Sequence, residues 1–331
     1  MKIPFNIPDY YTKYLSKAGP VFALIGIWVL LAIFAAPSFR TMGNLQTIAR
    51  QSTIIGIAAL GMTLIIISGG IDLSVGSTIA LSTVVIAAAL ARGLSPFVAV
   101  IAGVGAGMVT GLIIGTLVTK LKVVPFIVTL GMMLIVRGAA KGIAGEQKID
   151  APFTGLNNLL AATGGISPPA GVWVMFALAI AVAALLRYTV FGRHIIAIGS
   201  NESTARLCGV RVNRVRVAVY TLGGLFTGIA GLMQFSRLTV GDPTVAIGAE
   251  LDVIAAVVIG GGSLAGGEGS IIGSLAGAWI MTVIRNGCSQ LPLPEWLGGG
   301  IGLANWVQEI VTGFIIVIAV ALDRLRHRNR A

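Results

Sequence analysis

The stretch "PFVAVIAGVGAGMVTGLIIGTLVT" (96–119) runs for 24 residues without a single charge. About 20 apolar residues in a helix cross a hydrocarbon core of roughly 30 Å, so this run is long enough to span a membrane. Nine further apolar runs lie at 20–36, 47–68, 74–91, 123–141, 171–187, 215–236, 244–259, 270–285 and 306–322. The expected fold class is therefore an all-α polytopic membrane protein with about ten transmembrane helices, some of them short or broken. The runs at 244–259 and 270–285 are nearer sixteen residues. They are expected, as a pair, to be the ones that dip in and return if any do. Composition agrees: 56% of the residues are hydrophobic and 11% charged, where a soluble domain carries roughly 25% charged residues.

Glycine is abundant, 45 of 331 residues, about double the usual ~7%, and it is concentrated inside the apolar runs. Gly103, Gly107, Gly111 and Gly115 recur every four residues, as do Gly269, Gly273 and Gly277. Such residues share one helix face and let two backbones approach closely. Packing within one bundle and a seam between two copies both fit. The two cysteines, Cys208 and Cys288, fall on opposite faces of this topology and cannot bridge.

The formal charge of +11 does not point to nucleic acid, because the basic residues sit in short segments between apolar runs. It points to orientation. A cytoplasmic N-terminus puts the larger share of the 23 lysines and arginines on the cytoplasmic side, as the positive-inside rule requires. Residues 1–19 then form a cytoplasmic N-terminal segment ahead of an uncleaved first helix. Residues 20–322 form one transmembrane domain, 188–214 a cytoplasmic region within it, and 323–331 a basic cytoplasmic tail. The loop at 142–170 lies outside.

Two stretches break the apolar pattern, "SGGIDLSVGS" (68–77) and "GGGSLAGGEGS" (260–270). Clustered glycines do not hold a stable helix, and irregular backbone at membrane depth survives only where protein or a water-filled cavity shields it. Gly69, Gly70, Gly260, Gly261 and Gly262 are therefore candidate hinges. Asp72 and Ser74 read either as caps of the next helix or as polar groups lining a pathway. Gly260, Gly262 and Ala265 fit a dinucleotide-loop spacing, but no strand–turn–helix unit surrounds them and no Walker A pattern occurs. Arg137, Glu250, Asp252, Arg285 and Glu309 are functional candidates as charges in or near spans, and they also lie near predicted helix ends, where snorkelling or capping suffices. His194 and His327 stand alone, so no metal site is expected, and no hydrolase constellation converges.

One polar island remains, "IGSNESTARLCGVRVNRVR" (198–216). Ser200 or Asn201 can cap a helix, Glu202 sits in its positive first turn, and Gly209 is a natural left-handed terminator. This predicts a helix of seven or eight residues, with Asn213 capping the membrane helix that follows. The short helix either lies on anionic lipid through Arg206, Arg211, Arg214 and Arg216, or is a docking knob. In the second case Ala205, Leu207 and Cys208 form its apolar contact and Glu202 and Arg206 its rim.

The segment "FGRHIIAIGSNESTARLCGVRVNRVRVAVYTLGGL" (191–225) resembles the cytoplasmic coupling region of the membrane permeases of ribose-type ABC sugar importers. Two further blocks, "GMTLIIISGGIDLSVGS" (61–77) and "ELDVIAAVVIGGGSLAGGEGSIIGSLAGA" (250–278), resemble the same family in order and spacing. The stretch at 289–306 departs from it in being longer and richer in glycine and proline. The resemblance implies a ten-helix permease, paired with an identical or paralogous copy, that carries a ribose-like monosaccharide delivered by a periplasmic binding protein. A separate ATPase subunit would dock on Asn201, Glu202, Ser203, Ala205, Arg206, Leu207 and Gly209. ATP and Mg would belong to that partner, with no cofactor on this chain and no enzymatic activity of its own. A sugar cargo also gives aromatic rings a role: Phe126 and Trp279 fit an interior position and equally a lipid-facing or packing one, while Trp296 and Trp306 read as interfacial. An ion-coupled secondary transporter that uses the glycine breaks as its site is the alternative, and a non-transporting scaffold a third reading.

Overall fold

The computed structural model describes residues 9–162, 167–293 and 300–328. Trp296 and part of the 289–306 stretch lie outside them. Among the described residues the chain forms twelve α-helices: α1 (Asp9–Phe34), α2 (Met42–Ile67), α3 (Val75–Ala91), α4 (Pro96–Leu121), α5 (Pro125–Ala144), α6 (Ala170–Tyr188), α7 (Val190–Ser200), α8 (Glu202–Leu207), α9 (Val212–Leu238), α10 (Ala249–Ile259), α11 (Ile271–Cys288) and α12 (Asn305–Arg328). Two tiny antiparallel pairs join loops, β1 (Ile149–Asp150) with β2 (Val240–Gly241) and β3 (Pro292–Leu293) with β4 (Gly300–Ile301). Six helices, α2, α4, α5, α6, α9 and α11, are long and apolar enough to cross a membrane.

Local chemistry sets the helix ends. The Thr41 hydroxyl accepts from the Asn44 N–H at the start of α2, and Ser95 with Pro96 opens α4. A proline in the first turn gives up an N–H that would have no helical partner there. Lys122, in the left-handed region, turns the chain sharply from α4 into Pro125 of α5.

α2 is the central post. In its most apolar window 83% of the residues are buried, against 22% in α5, so α2 faces protein all round while α5 keeps a broad apolar outer face. α4 and α9 pack through glycine. A Cβ on Gly107 would stand 2.6 Å from Gly224 O, and one on Gly115 2.9 Å from Val217 Cα. The four-residue stripe of α4 is thus used inside the bundle, Gly107, Gly111 and Gly115 against α9 and Gly103 against Ile86 and Ser82 of α3.

The expected pair of short spans is corrected to one. α11 runs for 18 residues, whereas α10 has 11, about 16 Å at 1.5 Å per residue, too short to cross as helix alone; the turns before it and the loop after it, which meets the end of α2 at Ile67, complete its path. Residues 244–248 are turns instead. Asp242 accepts from the N–H and hydroxyl of Thr244 at 2.8 and 2.6 Å, Arg137 donates to Pro243 O and Val245 O, and Ala246 and Gly248 have positive φ. Side-chain bonds to the local backbone win over helix here.

Candidate functional site

The polar island folds into two helices. α7 buries Gly192, Ile195 and Ile198, an amphipathic stripe that seats it against the bundle; the sequence reading treated this segment as a connection. Asn201 then caps α8, its side chain accepting from the Thr204 N–H at 2.9 Å. Gly209, at φ +83°, ends it, with the Val210 N–H bonded back to Ala205 O. α8 is six residues long, one or two residues shorter than the seven or eight expected. α9 starts from Arg211 without a side-chain cap, so Asn213 lies inside the helix, which corrects its expected role as a cap.

α8 shows two different sides. Ala205 is buried against the fold, while Leu207 is 88% exposed with Cys208 exposed beside it; Ser203 faces outward as well. Glu202 ties the helix down. Its two carboxylate oxygens accept from Arg206 at 2.8 Å and from Arg216 of α9 at 2.7 Å. The Arg216 hydrogen bond holds the Glu202 carboxyl below the usual glutamate range; partial burial opposes this, and Arg206 adds to the lowering. A cavity of about 550 Å³ opens at this place, lined by Gly69, Lys122, Glu202, Arg206, Asn213 and Arg216.

The structure brings the island and both breaks together. The Gly267 N–H donates to Ile67 O at 2.8 Å, joining the second break to the end of α2. Gly199, at the end of α7, packs on Ile67 O and on Gly267 N so closely that a Cβ there would overlap both. Gly266 sits against Gly199 and Gly69. At the first break, Gly69 takes φ +80° and Gly70 lies under the Tyr220 hydroxyl. Asp72 is buried and accepts from the N–H and hydroxyl of Ser74 at 2.8 and 2.7 Å. Ser74 stands at the N-cap of α3 without a side-chain cap bond, so Asp72 shapes the turn before the helix. In the second break Gly261 has φ +90°, and Gly260 packs on the Gly273 backbone of α11. Phe126 is half-exposed at the start of α5 and lines neither cavity described here.

At the opposite end of the bundle lies a second polar cavity of about 440 Å³. α11 contributes Thr282, Arg285, Asn286 and Ser289, a stripe on one helix face. α2 adds Gln51, α9 adds Gln234 and Arg237, α10 adds Asp252, and α12 adds Gln308. Asp252 is 1% exposed, with Oδ2 on Arg285 Nη1 at 2.8 Å.

With both ends described, the comparisons with known proteins can be set beside them. A model of the family described as branched-chain amino acid transport system / permease component matches residues 44–320. The ribose import permease protein RbsC of Escherichia coli (strain K12) is 40% identical over 319 residues, 94% of this chain and 96% of its own length. The chain belongs to this permease family. RbsC of Bacillus subtilis (strain 168) is also 40% identical, over 95% of each chain. The L-arabinose ABC transporter permease protein AraH of Azospirillum brasilense is 34% identical over 96% of this chain and 90% of its own. No solved structure matches. The resemblance drawn from the three sequence blocks is borne out.

In this permease, the sequence reading located the knob and the breaks but treated Asp252 and Arg285 as terminal charges. Asp252 does lie in the first turn of α10, and the structure adds that it is a buried ion-pair member. A signal was present in the polar residues of α11 at spacings of three and four. Its partner 33 positions upstream has no sequence signature. Among the described residues no cluster of three or more His, Cys, Asp or Glu could hold a metal.

Proposed function

We propose that this permease is the membrane subunit of an ABC importer in the bacterial inner (plasma) membrane. On this reading it moves a ribose-like monosaccharide received from a periplasmic binding protein and works as a dimer with an identical or paralogous copy. α1 to α6 and α9 to α12 form ten membrane segments, α10 the short one, and both termini are cytoplasmic. The basic residues around α7, α8 and the start of α9 favour this orientation under the positive-inside rule. A separate ATPase, carrying ATP and Mg, docks on the α7–α8 knob.

The observation that carries the reading is the double character of that knob. It exposes Leu207 at its tip, and its base at Gly199 touches both glycine breaks. A partner pushing on Leu207 therefore acts on α2 and on the α10–α11 loop through direct backbone contact. The names of the relatives, ribose and L-arabinose permeases, support a pentose cargo.

The test is reconstitution of the permease in proteoliposomes with a cognate sugar-importer ATPase and its binding protein. ATP-dependent sugar uptake is expected, and Leu207→Glu is expected to leave the protein folded while abolishing co-purification of the ATPase. Uptake by the permease alone under an ion gradient would establish the secondary-transporter reading instead.

A further inference from the structure

The cavity at the end opposite the knob holds an arrangement that the import reading does not by itself supply. Asp252 lines it and is almost wholly buried, and only one of its carboxylate oxygens is used, on Arg285. Its Oδ1 is buried without a hydrogen-bond partner, as is Nε of Arg237 in the same lining. Beside Arg285, Asn286 Oδ1 is fixed by bonds from Asn44 at 2.9 Å and Gln290 at 3.0 Å.

A buried acceptor and a buried donor left open cost free energy unless a solute or solvent meets them. A carboxylate only accepts, a guanidinium only donates, and a hydroxyl does both. The pair cancels its own charge and Arg237 leaves the lining one positive charge in excess, so the carboxylate keeps a lone-pair site in surroundings that disfavour a cation. An α-ammonium would have to compete with Arg285 for it. No aromatic residue lines the cavity among the described residues, so ring stacking is not the basis of recognition there. Hydrogen bonding is the chemistry its polar side chains offer.

We propose that Asp252, positioned by Arg285, is the hydroxyl-accepting seat of this cavity, and that it selects a polyhydroxylated solute over one that presents an ammonium group. This rests on the import reading, and the experiment separates the two. In proteoliposomes containing the permease, a cognate ATPase and its binding protein, labelled D-ribose is the probe, L-leucine the zwitterionic comparison, and the readout is solute moved per ATP hydrolysed.

Asp252→Asn keeps the shape and is expected to lower the ribose-to-ATP ratio about ten-fold, the worth of one hydrogen bond to a charged group. A variant that merely lost folded protein would lower transport and hydrolysis together and leave the ratio unmoved. The double variant Asp252→Asn with Arg285→Gln removes both charges, leaves no unpaired ion and covers the case in which the single variant does not assemble. It is expected to assemble and still to transport poorly. An unchanged ratio in Asp252→Asn, recovery in the double variant, or ATP-driven accumulation of L-leucine by the wild type would overturn the seat. Absence of any ATP-dependent uptake by the wild type would overturn the import reading itself.

Discussion

Glu202 is a single residue that joins two elements, since its oxygens divide between Arg206 on its own helix and Arg216 on α9. The second bond matters more for the fold, because it crosses from the knob to the bundle. Its folded-state pKa lies below that of an ordinary glutamate, 4.5. The tether is therefore at full strength above the unfolded value and is lost as pH falls through the folded one. Protection of the α8 amides, their exchange rate taken against the intrinsic rate at each pH, should be high and flat near neutral pH and should fall in the acid range below about pH 4.5. Glu202→Gln should remove that acid transition and raise exchange in α8 at neutral pH. A wild-type profile without an acid step would show that the ion pair contributes nothing to seating the knob. The effect is modest in either case, because the carboxylate is 41% exposed and solvent screens it.

At the scale of elements, glycine decides which helices meet. A Cβ on Gly111 would overlap Tyr220 O and reach 3.0 Å from Gly224 Cα, whereas Gly105, on another face of the same helix, has open space around it. Gly111→Leu should force α4 from α9 and lower stability by about 1–3 kcal/mol or more, the usual range for overpacking. Gly105→Ala should be neutral or slightly stabilising, since it removes a helix-interior glycine. Thermal unfolding in detergent, followed by tryptophan fluorescence, compares the two, and equal midpoints would refute the seam. The spacing of four made the close approach legible in the sequence, but it could not say that α9 was the other half. α10 was legible in type and not in length. "GDPT" (241–244) carries an Asp-Pro turn signal, yet the left-handed turn at Ala246 has none, because alanine seldom adopts it. α7 was missed because 11 residues of mixed polarity read as readily as a connection.

At the scale of the whole molecule, the knob and both breaks were legible separately, and their junction was not. No pattern in the sequence brings Gly199 to Ile67 and Gly267, residues that are far apart in the chain and meet only once α2, α7 and the α10–α11 loop are packed. Under the proposed function the junction would divide docking from transmission, and two substitutions should separate them. Leu207→Glu alters the exposed tip and should lose the ATPase. Gly199→Ala leaves Leu207 and the Glu202–Arg216 tether in place, but its Cβ would overlap Ile67 O and meet Gly267 N at 2.5 Å, so α7 must lift off the breaks. This variant should still co-purify with the ATPase while sugar uptake falls by an order of magnitude or more, as misplacement of about 1 Å at a coupled element can cost. Retained uptake in Gly199→Ala together with retained ATPase binding would mean that the contact is static packing, and that force from the ATPase reaches the membrane helices through α9 and Arg216 instead.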